Sequence, residues 1–110
     1  MSARVATEAR PTWTFLTNHG HVLIVVSADP EARVRDIADR VGITERAVQG
    51  ILDDLERGGY LERERVGRRN RYRLRKGGRF RHPAEAGHAV DELLFRIQRR
   101  VRELVEARGA

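Results

Sequence analysis

The chain has 110 residues, with 22 Lys and Arg against 16 Asp and Glu, a net charge of +6 and no Cys. That length is most simply one domain, with roughly two-thirds of the unfolded surface to bury and little room for a separate catalytic or ligand-binding domain. Without Cys there are no disulfides or thiolate metal sites, and the longest apolar run, Val22 to Val26, is far too short to span a bilayer.

Residues 1–12 are small and polar, include Pro11, lack the apolar core of a signal peptide and are expected to form a flexible tail. Trp13, Phe15 and Leu16 follow, bulky enough to pack onto something. A first helix starts near Thr17 or Asn18, both good caps, and runs through HVLIVVSA to Asp29-Pro30, which ends it. Val22, Leu23, Val25 and Val26 cover most of its circumference, so it is expected at the centre of the core. The run is β-branched, and periodicity alone fits a buried strand as well. Ala32-Arg33-Val34 fits a short strand, and a second helix follows from Arg35 to Val41, with Ile37, Ala38 and Val41 on one side. Gly42 permits the sharp turn after it.

Ile43-Thr44 opens a third helix, with Thr44 as N-cap and Glu45 in the first turn, where the helix dipole favours an acid. Val48, Ile51, Leu52 and Leu55 fall at i, i+3, i+4, i+7 and form its core stripe. The opposite face carries Glu45, Arg46, Gln49, Gly50 and Asp53. Gly58-Gly59 ends the helix, and a hairpin follows: Leu61 to Val66, a tip from Gly67 to Asn70, and a return strand from Arg71 to Leu74. From Arg57 to Arg81 there are eleven bases and two acids, a local charge of +9, so the rest of the chain is net acidic by 3. Such a field suits a polyanion, nucleic acid first and an anionic membrane second; a merely solvated basic surface fits the composition too.

A basic linker, RKGGRFRHP, leads to a long terminal helix from about Ala84 to Arg108. Val90, Leu94, Ile97, Val101 and Leu104 step by 4, 3, 4, 3, with Leu93 beside them, a heptad-like seam. At roughly 35 Å such a helix outruns so small a domain. A dimer seam is the first reading; a membrane-surface helix and packing on the first helix are the others.

A major groove about 12 Å wide accepts one helix, provided another helix and a short rigid turn prop it outward. The second helix, Gly42 and the third helix meet that description. Thr44, Glu45, Arg46, Gln49 and Gly50 form the readable face: Arg46 can read guanine, Gln49 adenine, and Glu45 can accept from cytosine or orient Arg46. Gly50 costs its helix about 1 kcal/mol relative to Ala, which a close approach to DNA or a tight helix–helix contact would each explain. Arg68, Arg69, Asn70 and Arg71 at the hairpin tip can meet phosphates or enter a minor groove, with Arg35, Arg65 and Arg73 as further phosphate contacts. The four His residues lack the tight spacing of a zinc site, and no phosphate loop, nucleophile elbow or catalytic carboxylate pair is present.

The order helix, helix, recognition helix, GYL strand and ERVGRRNRYRL wing resembles the winged helix-turn-helix of MarR/ArsR-type bacterial regulators, over residues 15–75. The same stretch also resembles small regulators common in high-GC actinobacteria. The resemblance implies a mostly α fold with a small β-hairpin wing (α+β), comprising a winged helix-turn-helix at 13–76 and a C-terminal dimerisation helix at 83–108. It also implies a homodimer that binds a pseudo-palindromic operator on double-stranded DNA as a repressor, with Val90, Leu93, Leu94, Ile97, Val101 and Leu104 at the dimer interface. A cytoplasmic, nucleoid-associated protein with no cofactor, metal, membrane contact or enzymatic activity is expected. Typical MarR proteins carry extra helices around an effector pocket, and ArsR metal sensors carry Cys; this sequence departs from both patterns, so the effector is left unassigned. The alternatives are a winged-helix module whose basic wing docks an acidic protein, and a non-specific architectural DNA binder.

Overall fold

The computed structural model describes residues 11–94, 96 and 97. Three helices, α1 (Asn18–Ala28), α2 (Val34–Val41) and α3 (Glu45–Arg57), precede an antiparallel hairpin of β1 (Leu61–Val66) and β2 (Arg69–Leu74). The β-branched run 22–26 is therefore helical. Its capping explains why: the Thr17 hydroxyl accepts from Gly20 N, and the backbone continues in i to i−4 bonds from His21 N to Thr17 O. Val22 through Val26 are all buried, which makes α1 the hub of the core.

α2 presents Ile37 and Ala38 to α1 and the remaining core, with Val41 partly buried beside them. Its end is a Schellman-type stop: Gly42 sits at φ +86°, and Gly42 N and Ile43 N both bond to Ala38 O, at 2.7 and 3.1 Å. Only glycine takes that conformation cheaply, and it makes the turn between α2 and α3 short and rigid. α3 buries Val48, Ile51, Leu52 and Leu55, the stripe that its periodicity predicts. Its last turn closes through Gly58 N to Asp54 O and Tyr60 N to Leu55 O, both 2.8 Å, so the chain enters β1 directly.

The hairpin is tighter than the tip Gly67–Asn70 expected from sequence. Val66 pairs with Arg69, leaving Gly67-Arg68 as a two-residue turn, with φ +64° at Gly67 and no positive φ at Arg68. That combination suits the right-handed twist of the strands, so Arg69 and Asn70 join β2 instead of the turn.

Two other expectations are corrected. Ala32-Arg33-Val34 is not a strand: Val34 already belongs to α2, and the backbone bond that reaches β2, Tyr72 N to Pro30 O at 2.8 Å, lies before the segment. Pro30 has no N–H with which to answer, so no ladder can propagate. The terminal helix does not start at Ala84; helical residues begin at 90. Residues 79–89 form a closed loop, with Arg79 bridged to Ala89, Phe80 N bonded to His88 O and Val90 N to Gly78 O. Those backbone groups are spent across the loop and unavailable to a helix.

Of the apolar positions expected in a dimer seam, Leu94 is 2% exposed and belongs to the chain's own core, with Val90 and Ile97 packed against it. Leu93 is exposed, while Val101 and Leu104 lie outside the described residues. Trp13 and Phe15 do not join the core: they are 68% and 92% exposed and touch each other edge to face, with centroids 5.2 Å apart.

Candidate nucleic-acid interface

Burying the stripe at 48, 51, 52 and 55 forces the opposite face of α3 into solvent. Glu45, Arg46, Gln49, Gly50 and Asp53 are all exposed there. The Thr44 hydroxyl accepts from Ala47 N at 3.0 Å, so this side chain is first a cap, with its own O–H still free to donate outward. A Cβ built at Gly50 meets nothing within 4 Å. The helix–helix contact that would explain this glycine is therefore absent from the described residues. Arg35 is exposed in the first turn of α2.

The wing sorts its arginines by pleat. Register pairs Leu61 with Leu74, Arg63 with Tyr72 and Arg65 with Asn70 on one face. That face is turned toward α3 and the core: Leu61 and Tyr72 are buried, and the Arg63 guanidinium reaches Asp53 and Glu56 of α3. The other face pairs Glu62 with Arg73, Glu64 with Arg71 and Val66 with Arg69. Arg69, Arg71 and Arg73 thus lie on the side away from α3, whereas Arg65 and Asn70 lie on its side. The grouping of Arg68, Arg69, Asn70 and Arg71 into one tip cluster is corrected accordingly, because successive strand residues point to opposite faces.

Proximity also redistributes the charge. Five of the eleven bases between Arg57 and Arg81 have a carboxylate within 4.0 Å: Arg57, Arg63, Arg71, Arg73 and Arg75. Arg73 donates to Glu62 at 2.6 Å. That bond and its charge hold the Glu62 carboxyl below its usual range and raise the Arg73 guanidinium. Arg69 donates to the Glu31 carbonyl oxygen at 2.8 Å, and Arg71 approaches the Glu31 carboxylate at 3.9 Å, so both brace the wing against the α1–α2 loop. Of the acids responsible, Glu62 is already counted in that stretch, Asp53, Asp54 and Glu56 lie just before it, and Glu31 is distant in sequence, so the local +9 overstates the field.

Arg33 was not among the expected contacts. It precedes α2 as an N-cap without a side-chain capping bond, and with Arg68, Arg69 and Asn70 it lines a groove of about 350 Å³. Its sequence context gives no cap signal that would mark it, since Arg is not among the residues that favour a helix N-cap.

His19 and His21 do not converge. His19 bonds to Asp54 at 2.8 Å, which with Arg57 lowers the Asp54 carboxyl, while His21 contacts Thr14. Among the described residues no three His, Cys, Asp or Glu side chains gather to hold a metal, and no helix is long and apolar enough to cross a membrane.

A family model described as the MarR family matches residues 14–71, more than half of the chain. No curated protein matches significantly. Among solved structures, FabT of Streptococcus pneumoniae, in complex with DNA, is 19% identical, covers 96% of this chain and 65% of its own, and has a TM-score of 0.53. MepR, a transcription regulator of the Staphylococcus aureus multidrug efflux pump MepA, is 20% identical over 84% of this chain and 64% of its own, with a TM-score of 0.51. The PcaV transcriptional regulator of Streptomyces coelicolor is 25% identical over 77% of this chain and 53% of its own, with a TM-score of 0.47. The chain thus spans between about half and two-thirds of the length of these proteins. FabT and MepR share its winged-helix fold.

Proposed function

The chain belongs to the MarR family, and from that premise we propose that it is a sequence-specific transcriptional regulator that binds double-stranded DNA as a homodimer, on a pseudo-palindromic operator, as a repressor. The observation that carries this reading is the outward face of α3. A Thr44-capped helix, held by a two-helix scaffold and a rigid Gly42 turn, offers Glu45, Arg46, Gln49 and the open Gly50 to solvent, with Arg65 and Asn70 of the wing on the same side.

In the proposed complex α3 lies in the major groove. Arg46 is fit to bond guanine through its fork and Gln49 to bond adenine, each such pair worth about 1–3 kcal/mol of discrimination. Thr44, Arg33, Arg35, Arg65 and Arg68 meet phosphates, which set register and most of the affinity. Arg69, Arg71 and Arg73 contribute through the basic field more than by contact. FabT, which has the same fold, was solved with DNA, and that mode of use is proposed here for this chain. A second copy would bury Trp13, Phe15 and Leu93, the large apolar side chains left exposed beside α1 and the terminal helix. Two recognition helices about 34 Å apart would then address successive turns of one DNA face.

Selection of bound sites from random duplexes tests the proposal. A palindromic consensus is expected, and Arg46→Ala or Gln49→Ala should relax preference at one position in each half-site. Uniform loss across all sequences would make the protein an architectural binder, and no binding to any duplex at low salt would leave a protein-docking module. Light scattering at micromolar concentration should give a dimer.

A further inference from the structure

The outward stripe of α3 does not end at Gly50. Continuing by helical steps from Arg46, Gln49 and Gly50, it reaches Asp53 and then Glu56, two carboxylates one turn apart. Both are about half exposed, at 52% and 42% of their side chains. Two free negative charges in line with a DNA-reading face would repel the phosphate backbone.

They are not free. Arg63, at the third position of β1, donates from Nε and Nη2 to Glu56 Oε1, at 3.0 and 2.8 Å, and from Nη2 to Asp53 Oδ1. Its side chain is only 24% exposed, the least among the ion-paired arginines of the wing. Partial burial opposes its charge, but the bonds to Glu56 and Asp53 outweigh that and raise the guanidinium. Across the hairpin Arg63 stands opposite Tyr72, whose ring is in the core and whose N–H holds Pro30 O. One residue therefore joins the centre of the wing to the far half of the recognition helix.

We propose that Arg63 is a positioning residue for DNA binding: it clamps the wing to α3 at a fixed angle and offsets part of the negative charge of Asp53 and Glu56, without touching DNA itself. The inference rests on the DNA-binding reading above. It differs from the reading of Arg63 as one more member of a basic wing, because a clamp and a phosphate contact predict opposite outcomes. Three of the five N–H donors of this guanidinium, those on Nε and Nη2, are committed to carboxylates, and its charge is offset by theirs, so it has little to offer a phosphate. Its removal leaves the two acids bare on the reading face and lets Arg65 and Arg68 swing away from the helix.

The test uses the full chain and a duplex selected by the wild type, with each variant shown to be folded by circular dichroism at the assay temperature. Arg63→Gln should bind about tenfold more weakly. Its slope of log affinity against log salt should equal that of the wild type, since no phosphate contact is lost, while Arg65→Gln should flatten the slope by about one. Unchanged affinity for Arg63→Gln, or a slope lower by about one, overturns the proposal. Asp53→Asn/Glu56→Gln supplies a second test should Arg63→Gln unfold. Charge alone predicts tighter binding, because two negative charges leave the face. The clamp predicts weaker binding, because the wing is released; tighter or equal binding refutes it. If the wild type binds no duplex at all, it is the DNA-binding reading that fails, which keeps the two failures apart.

Discussion

Tyr60 and Gly78 are fitted to each other. A Cβ added at residue 78 would lie 2.7 Å from Tyr60 Cδ1, and one added at Gly58 would lie 3.0 Å from Cε2 of the same ring. The Tyr60 hydroxyl also donates to the Arg79 carbonyl oxygen, and Arg75 N bonds to Tyr60 O. Tyr60 therefore pins the linker after the wing onto the end of α3. Gly78→Ala should destabilise the fold by about 1–3 kcal/mol, as overpacking does. Tyr60→Phe should cost less, about 0.5–1.5 kcal/mol for one hydrogen bond. Urea denaturation of both variants checks the order; a wild-type midpoint for Gly78→Ala would mean that the ring is free to move aside.

Gly50 should separate stability from function. Its site is open, so Gly50→Ala gains helix propensity and is expected to stabilise the free protein by about 0.5–1 kcal/mol. If the missing side chain serves a close approach of DNA, the same variant should bind its duplex more weakly. Thermal melts paired with gel shifts check the two signs; a more stable variant with undiminished binding would remove Gly50 from the interface.

The two faces of the wing should differ in salt dependence. Arg65→Gln and Arg68→Gln are each expected to flatten the log affinity–log salt slope by about one, the signature of a lost phosphate contact. Arg73→Gln should leave it nearly unchanged, because Arg73 is paired with Glu62 on the face away from α3. Titrations between low and moderate salt measure all three, and equal slopes for Arg65→Gln and Arg73→Gln would contradict this division.

Stability should fall in acid in a way assignable to two carboxylates. Asp54 is held below its ordinary 3.8 by the hydrogen bond from His19, and Glu62 below its ordinary 4.5 by Arg73. A carboxyl depressed in the folded state stabilises it at every pH above the unfolded value, and loses that contribution as pH falls through the folded value. The decline attributable to these two residues should therefore begin near their ordinary values and continue below them. Asp54→Asn and Glu62→Gln should start less stable at neutral pH and lose less on acidification. Both groups are at the surface, so the effects are small and should shrink with added salt. Melting midpoints from neutral pH to pH 2, at low and high salt, check this.

Much of the architecture is local and so was legible in the residues alone. The α3 stripe, the Thr44 cap and the Gly42 stop each depend on spacings of three or four residues or on one backbone conformation, and the structure has them where expected. The outward face of α3 follows at once, since burying one side of a helix exposes the other. The boundaries that failed depend on partners: residues 84–89 carry helix-forming types but are drawn into a backbone bridge with 78–80, and Ala32-Arg33-Val34 found no strand able to pair with it.

What the sequence by itself determined is thus the kind of molecule: a helix-turn-helix with a readable face and a basic hairpin. What only the tertiary structure decided is which charges are free to act. Charge counted along the chain credits every arginine of the wing, whereas Coulomb interactions depend on distance in space. Folding brings Asp53 and Glu56 of α3 to Arg63, and Glu31 of the α1–α2 loop to Arg71, across separations that no local pattern records. The pleat then turns Arg65 and Asn70 toward α3 and Arg73 away from it, so the same basic run is divided between a face beside α3 and a face of paired, bracing arginines.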